Sequence, residues 1–272
     1  MSEKTGQYLH GHHESVLRSH TWRTAANSAA YLVPHLKSGM QVLDVGCGPG
    51  TITADLATLV PGGHVIGLEY APDVLVQARA TAEARKIGNI DFQVGDIHAL
   101  KFPDNTFDVV HAHQVLQHVS DPILALTEMR RVTKPGGIVA VRECDYSSSI
   151  VYPDSPEVTK FVSDMYVRVA KSIGGEPNAG RMLHSWAKKV GFERSHIMST
   201  TSTWCYNAPE DIQWWGDLWA DRILSSSFAK NALGSRVATI EELNSASLAW
   251  KEWMKEEDAW FNMVHGEIIC RV

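Results

Sequence analysis

The stretch Val42-Leu43-Asp44-Val45-Gly46-Cys47-Gly48-Pro49-Gly50-Thr51 constrains this chain more than any other. An apolar run ends in an acidic residue, turns through three glycines and enters residues 51–59, which read as a helix. A strand, a glycine-rich turn and a helix make a nucleotide-binding crossover. Without a Cβ, the glycines let the backbone approach a ligand closely, and the helix N-terminus offers N–H groups there. The spacing is G-x-G-x-G, whereas the dinucleotide fingerprint is G-x-G-x-x-G. An NAD-dependent oxidoreductase is therefore disfavoured. The bland alternative is a tight strand-to-helix turn with no ligand.

Two further acidic residues bear on that choice. His64-Val65-Ile66-Gly67-Leu68-Glu69 reads as a second buried strand ending in a carboxylate, 25 residues after Asp44. In a βαβ unit this acid faces the crevice and accepts both hydroxyls of a ribose. Asp91-Phe92-Gln93-Val94-Gly95-Asp96 reads as a third strand with Asp96 just past its end. Alone, each acid is a solvated loop residue or a helix cap. Three in succession at strand ends point to a ligand.

The pattern continues through Phe107-Asp108-Val109-Val110-His111-Ala112-His113, then Leu116-Gln117-His118-Val119, then Lys134-Pro135-Gly136-Gly137-Ile138-Val139-Ala140-Val141. From residue 41 to residue 143 the chain resembles the class I S-adenosyl-L-methionine (SAM) methyltransferases. Within them it is similar to the UbiE-type and small-molecule, natural-product enzymes of secondary metabolism. The resemblance implies an α/β fold, a Rossmann-like doubly wound seven-stranded sheet with helical N-terminal and C-terminal cap elements. It implies SAM as cofactor and S-adenosyl-L-homocysteine (SAH) as product. Asp44 would take up the SAM ammonium directly or through water, beside Gly46, Cys47 and Gly48. Glu69 and Tyr70 would border the ribose, and Asp96 and Ile97 the adenine. Tyr8 would cover the methionine part, Arg23 would pair with its carboxylate, and His113 would border the cofactor.

Methyl transfer is an in-line displacement at carbon, so alignment and exclusion of water are the main tasks. A base is needed only if the acceptor must lose a proton. His113, His118, Glu143 and Asp145 follow the fourth and fifth strands and are the candidates. A histidine near a helix start, such as His118, often serves only the backbone. The histidines at 10, 12 and 13, or at 111 and 113, lack a cysteine or acid at metal-ligand spacing, so no metal is expected.

The chain has 272 residues, 25 basic and 31 acidic, for a net charge of −6. No lysine or arginine run supplies a footprint for nucleic acid. No segment reaches the roughly 18 apolar residues of a membrane span, and residues 1–6 lack an apolar signal region. Cys47, Cys144, Cys205 and Cys270 are scattered and read as free thiols, which places the protein in the cytoplasm.

The expected organisation is an N-terminal helical cap over 1–36, a SAM-binding core over 37–205 and 261–272, and a helical insertion over 206–260. Residues 146–154 read as a loop, 155–173 as a helix, 195–205 as a strand, and 209–230 and 239–260 as helices. The insertion holds Trp214, Trp215, Trp219, Trp250, Trp253 and Trp260. It reads as a lid over an apolar or aromatic acceptor, as a dimer surface, or as ordinary packing. The expected activity is methyl transfer to a small molecule. The alternatives are a SAM-binding relative with another reaction and a non-catalytic SAM-binding scaffold.

Overall fold

Short β-branched runs alternating with amphipathic segments build a parallel sheet covered on both faces. The structure, a computed structural model, describes residues 22–272. Tyr8, the histidines at 10, 12 and 13, and the start of the expected N-terminal helix lie outside the described residues. A short helix α1 (Ala25–Ser28) precedes β1 (Gln41–Val45), α2 (Thr51–Leu59), β2 (His64–Glu69), α3 (Val74–Ala84) and β3 (Ile90–Val94). Then come β4 (Phe107–His113), α4 (Pro122–Val132) and β5 (Thr133–Tyr152). The seven strands form one sheet in the order β3-β2-β1-β4-β5-β7-β6, with β6 (Ile197–Tyr206) and β7 (Trp260–Arg271) at one edge. Strands β1 to β5 pair in parallel, and β7 runs antiparallel to both β5 and β6.

Alternation along the strands sorts side chains to two apolar layers. Val42, Val65, Val109, Ile138 and Ile269 pack against Leu32, Ile52 and Leu56. Leu43, Val110, Val139 and Ile268 pack on the other face against Leu126, Met129, Leu183 and Trp186. Both faces being covered, six of the seven residues of β4 are buried.

Outside this core the structure differs from the sequence reading. Residues 146–152 are not a loop: after an irregularity between Asp145 and Ile150, β5 resumes, pairing Ile150, Val151 and Tyr152 with Asn262, Phe261 and Trp260. Pairing with β7, remote in sequence, extends a stretch whose own serines favour a turn. The expected helix over 155–173 is α5 (Pro156–Lys160), a π-helical turn Phe161–Met165, and α6 (Tyr166–Ser172), with α7 (Leu183–Lys189) following. The expected helix over 209–230 is two, α8 (Pro209–Ser225) and α9 (Ser227–Gly234), because Ser226 is extended and its Oγ accepts from the Phe228 amide. The next helix, α10 (Ile240–Trp253), starts at a capping box in which Thr239 and Glu242 bond each other's backbone N–H. It ends seven residues before the sequence reading places its end.

Helices α8, α9 and α10 bury their aromatic residues against the 156–172 segment in a third apolar cluster. Trp215, Trp219, Trp250 and Trp253 are all buried there, with Phe161, Tyr166, Phe228 and Phe261. The bland reading of these tryptophans is therefore correct for four of the six. Trp214 is only partly buried and faces Trp22 and Tyr206. No helix of the described residues is long and apolar enough to cross a membrane.

Candidate active site

Because β1 lies between β2 and β4, the winding reverses there and a crevice opens at the carboxyl ends of these strands. The glycine turn sits at its mouth. Gly46, Gly48 and Gly50 adopt φ of +67°, +53° and +75°, the left-handed region that favours glycine. Their roles differ. A Cβ on Gly46 would come within 2.4 Å of Val115, and one on Gly50 within 2.9 Å of Ala78, whereas one on Gly48 would meet nothing within 4 Å. Gly46 and Gly50 are thus glycine for packing, and Gly48 faces an open cradle. The Gly46 and Cys47 amides donate to the Leu68 carbonyl at 2.7 and 3.0 Å, fixing the turn to the end of β2. The Cys47 thiol is buried, and burial pushes its pKa well up, so it stays protonated.

The three acids occupy neighbouring strand ends in different states. Glu69 accepts the Gly48 amide at Oε2 and the Ala71 amide at Oε1, each at 3.1 Å, so its carboxylate lies against the cradle. Tyr70 beside it is 61% exposed, open to stack on a ligand. Asp96 accepts from the His98 amide and bonds the His98 ring, both through Oδ1, while its side chain is 44% exposed. Ile97 is buried next to it. Asp44 is different: 3% exposed, it bonds His111 Nδ1 at 2.7 Å and accepts from Thr53 Oγ1 at 2.6 Å. Those bonds tie β1 to β4 and to α2.

The four base candidates separate sharply. His113 is buried at the end of β4, and neither ring nitrogen has a hydrogen-bond partner among the described residues. Burial, with Arg23 and Arg142 nearby, holds its pKa well below the usual range, so the ring is neutral. His118 bonds Gln117 at 3.1 Å and lines a separate small cavity with Tyr166, Ile173 and Pro177. Burial lowers its pKa to about 3, a weak base. Asp145 is held by Arg181 through two bonds, to Nε and Nη2. Arg23 reaches the Gln114 side chain at 2.8 Å, linking the N-terminal segment to the end of β4.

Glu143 is fully buried and accepts the amides of Val115, Leu116 and Gln117 at 2.9, 2.7 and 3.3 Å. It closes the turn that follows β4. Burial pushes its pKa up to about 7, against the pull of those three N–H groups. A raised value in the folded state means its contribution to stability is complete below the ordinary value of 4.5 and is lost as pH rises through 7. The stability difference between the native chain and Glu143→Gln should therefore fall by roughly 2–3 kcal/mol from pH 5 to pH 8. Urea unfolding at the two pH values measures it, and a pH-independent difference would refute the shift.

Several residues of this region are absent from the sequence reading. Gln114 donates to Cys144 Sγ at 2.9 Å and lies 3.0 Å from His265 Nε2. Trp204 places its ring 5.7 Å from His113 and 4.4 Å from His265. Arg142 pairs with Glu267 on β7. An arginine inside the apolar run of the fifth strand is the one signal the sequence carried. Its partner lies 125 residues away.

Comparison with known proteins bears on this arrangement. A family model described as a methyltransferase domain matches residues 36–201. The chain is 37% identical to a methyltransferase of Schizosaccharomyces pombe, itself uncharacterized, with 100% of this chain and 99% of that one aligned. The ubiquinone/menaquinone biosynthesis C-methyltransferase UbiE of Bdellovibrio bacteriovorus is 38% identical over 107 residues, 39% of this chain and 45% of UbiE. The crystal structure of the YcgJ protein of Bacillus subtilis superposes with a TM-score of 0.57 at 16% identity, over 89% of this chain and 97% of that one. That last likeness is one of fold.

Proposed function

This chain belongs to the class I SAM-dependent methyltransferases, and we propose that it methylates a small, largely apolar or aromatic acceptor held beside His113. One observation carries this reading: His113 is a buried, neutral imidazole with both nitrogens unpartnered, at the end of the strand that walls the crevice. The cradle fits SAM, since the side of Gly48 is open and the acids of Glu69 and Asp96 border it. When bound, SAM supplies a methyl group activated by its sulfonium charge. Glu69 accepts from the ribose, Asp96 from the adenine amino group, and Tyr70 covers one side. Arg23 lies at the side where the methionine carboxylate would sit. Asp44 acts through His111 and Thr53, holding the strand ends in register.

His113, neutral and unpartnered, accepts a hydrogen bond from the acceptor and orients the attacking atom. His118, Glu143 and Asp145 hold the surrounding backbone. The cap helices exclude water from the acceptor. A net charge of −6 and the lack of a lysine or arginine run in the sequence favour a small molecule over a nucleic acid as acceptor. The four free cysteines suit a reducing cytoplasm.

The test is incubation of the full chain with methyl-labelled SAM and a panel of phenols, thiols, amines and quinols, beside an RNA control. Label is expected in at least one small acceptor, and His113→Ala should reduce its transfer by at least about tenfold through misalignment of the reacting atoms. Salt-sensitive labelling of RNA, or binding of NAD in place of SAM, would overturn the reading.

A further inference from the structure

Buried guanidinium nitrogens without an acceptor cluster on the sheet face where β4, β5 and β7 meet. Arg142 stands beside His113 in the β4–β5 pairing and opposite Glu267 on β7. It is 1% exposed. Its Nε donates to Ser202 Oγ at 2.9 Å and to Glu267 Oε1 at 3.2 Å, while Nη1 and Nη2 have no partner among the described residues. Arg23 adds a second guanidinium, with Nε likewise unpartnered. The two guanidinium carbons lie 5.0 and 5.4 Å from the centre of the same Trp204 ring. Tyr31 contributes a buried, unpartnered hydroxyl, its ring 6.5 Å from that of His111.

The available acids are already engaged. Glu267 accepts from Arg142, Ser202 and Thr200, and Glu143 from three amides. Guanidinium groups keep their protons in proteins, so these nitrogens are donors in need of an acceptor. A fork of two free Nη groups matches two oxygens of a carboxylate, or one strongly basic oxyanion. The position is apt. Asp44 pairs with His111 and Val45 with Ala112, which puts His113 level with Gly46 at the start of the glycine turn. Arg142 is one strand further along.

We propose that Arg142 is the anchor of the acceptor, binding an acidic oxygen, carboxylate or ionised phenol, with Tyr31 and Arg23 beside it. The site selects acceptors that join an apolar body to one such oxygen. Trp204 supplies the apolar wall, and the anchor aligns the rest of the molecule toward the strand ends. This inference rests on the methyl-acceptor reading above.

Calorimetry on the full chain loaded with SAH tests it, using benzoate against benzamide and 4-nitrophenolate against 4-nitroanisole at pH 8. The two arms separate a carboxylate from a phenolate. At least one acid should bind about tenfold or more tighter than its neutral isostere, as expected for a charge-assisted fork. Arg142→Gln with Glu267→Gln removes both charges together and should erase that preference. Tyr31→Phe leaves the charges and the ring packing in place and should weaken the acid alone, which keeps the test decisive if the double variant does not fold. Equal binding of acids and isosteres, or none, by protein that binds SAH would overturn the anchor. Failure to bind SAH would overturn the methyltransferase reading instead.

Discussion

Replacing Gly48 with valine is expected to abolish SAM binding while the sheet stays folded. Gly48 has a φ of +53°, and the space its Cβ would enter is empty to 4 Å. The left-handed conformation costs an L-residue roughly 1–2 kcal/mol, a modest loss of stability. The larger effect is on the ligand. A branched side chain fills the cradle, and rearrangement of the turn breaks the bond from the Gly48 amide to Glu69. A loss of at least about 100-fold in affinity, near 3 kcal/mol, is expected by calorimetry. Glu69→Ala provides a graded companion. It removes hydrogen bonds to a charged acceptor, worth roughly 1.5–3 kcal/mol, and leaves the cradle empty. A folded Gly48→Val protein that binds SAM normally would place the cofactor elsewhere.

Trp219→Ala is expected to cost about 3–5 kcal/mol of folding stability. Trp219 is 1% exposed at the centre of the cap cluster. Its ring lies 5.4 Å from Phe161, 5.6 Å from Tyr166, 5.7 Å from Trp215 and 6.0 Å from Trp250. Arg222 adds a cation over the same ring at 5.0 Å. Truncation leaves a void bounded by large rigid rings that relax poorly, so the cavity term adds to the transfer term. Urea unfolding reads the change. A cost under about 1 kcal/mol would mean the cap does not share the stability of the sheet. Leu248, 58% exposed on α10, offers the surface contrast: its replacement by alanine should be nearly silent.

What the sequence alone determined is whatever depends on near neighbours. The three glycines of the 46–50 turn and the acids at the ends of β2 and β3 follow from local turn chemistry and hydrophobic period, and the fourth and fifth strands from the family resemblance. The seven-stranded doubly wound sheet also agrees with the sequence reading. Tertiary structure decided everything whose partner lies far along the chain. His113 and His118 are both base candidates in the sequence. Only strand register and the packing of residues 166–177 put one against the crevice and the other in a separate cavity. Glu143 and Asp145 read alike as candidate bases. One is occupied by three amides and the other by Arg181, 36 residues away. The tryptophans of α8 and α10 announce an apolar face but not what covers it, and in the fold four of the six cover one another. The charge of Arg142 is visible in the sequence. That two of its nitrogens lack an acceptor is a property of the assembled sheet, because satisfaction of a buried polar group is settled by neighbours in space.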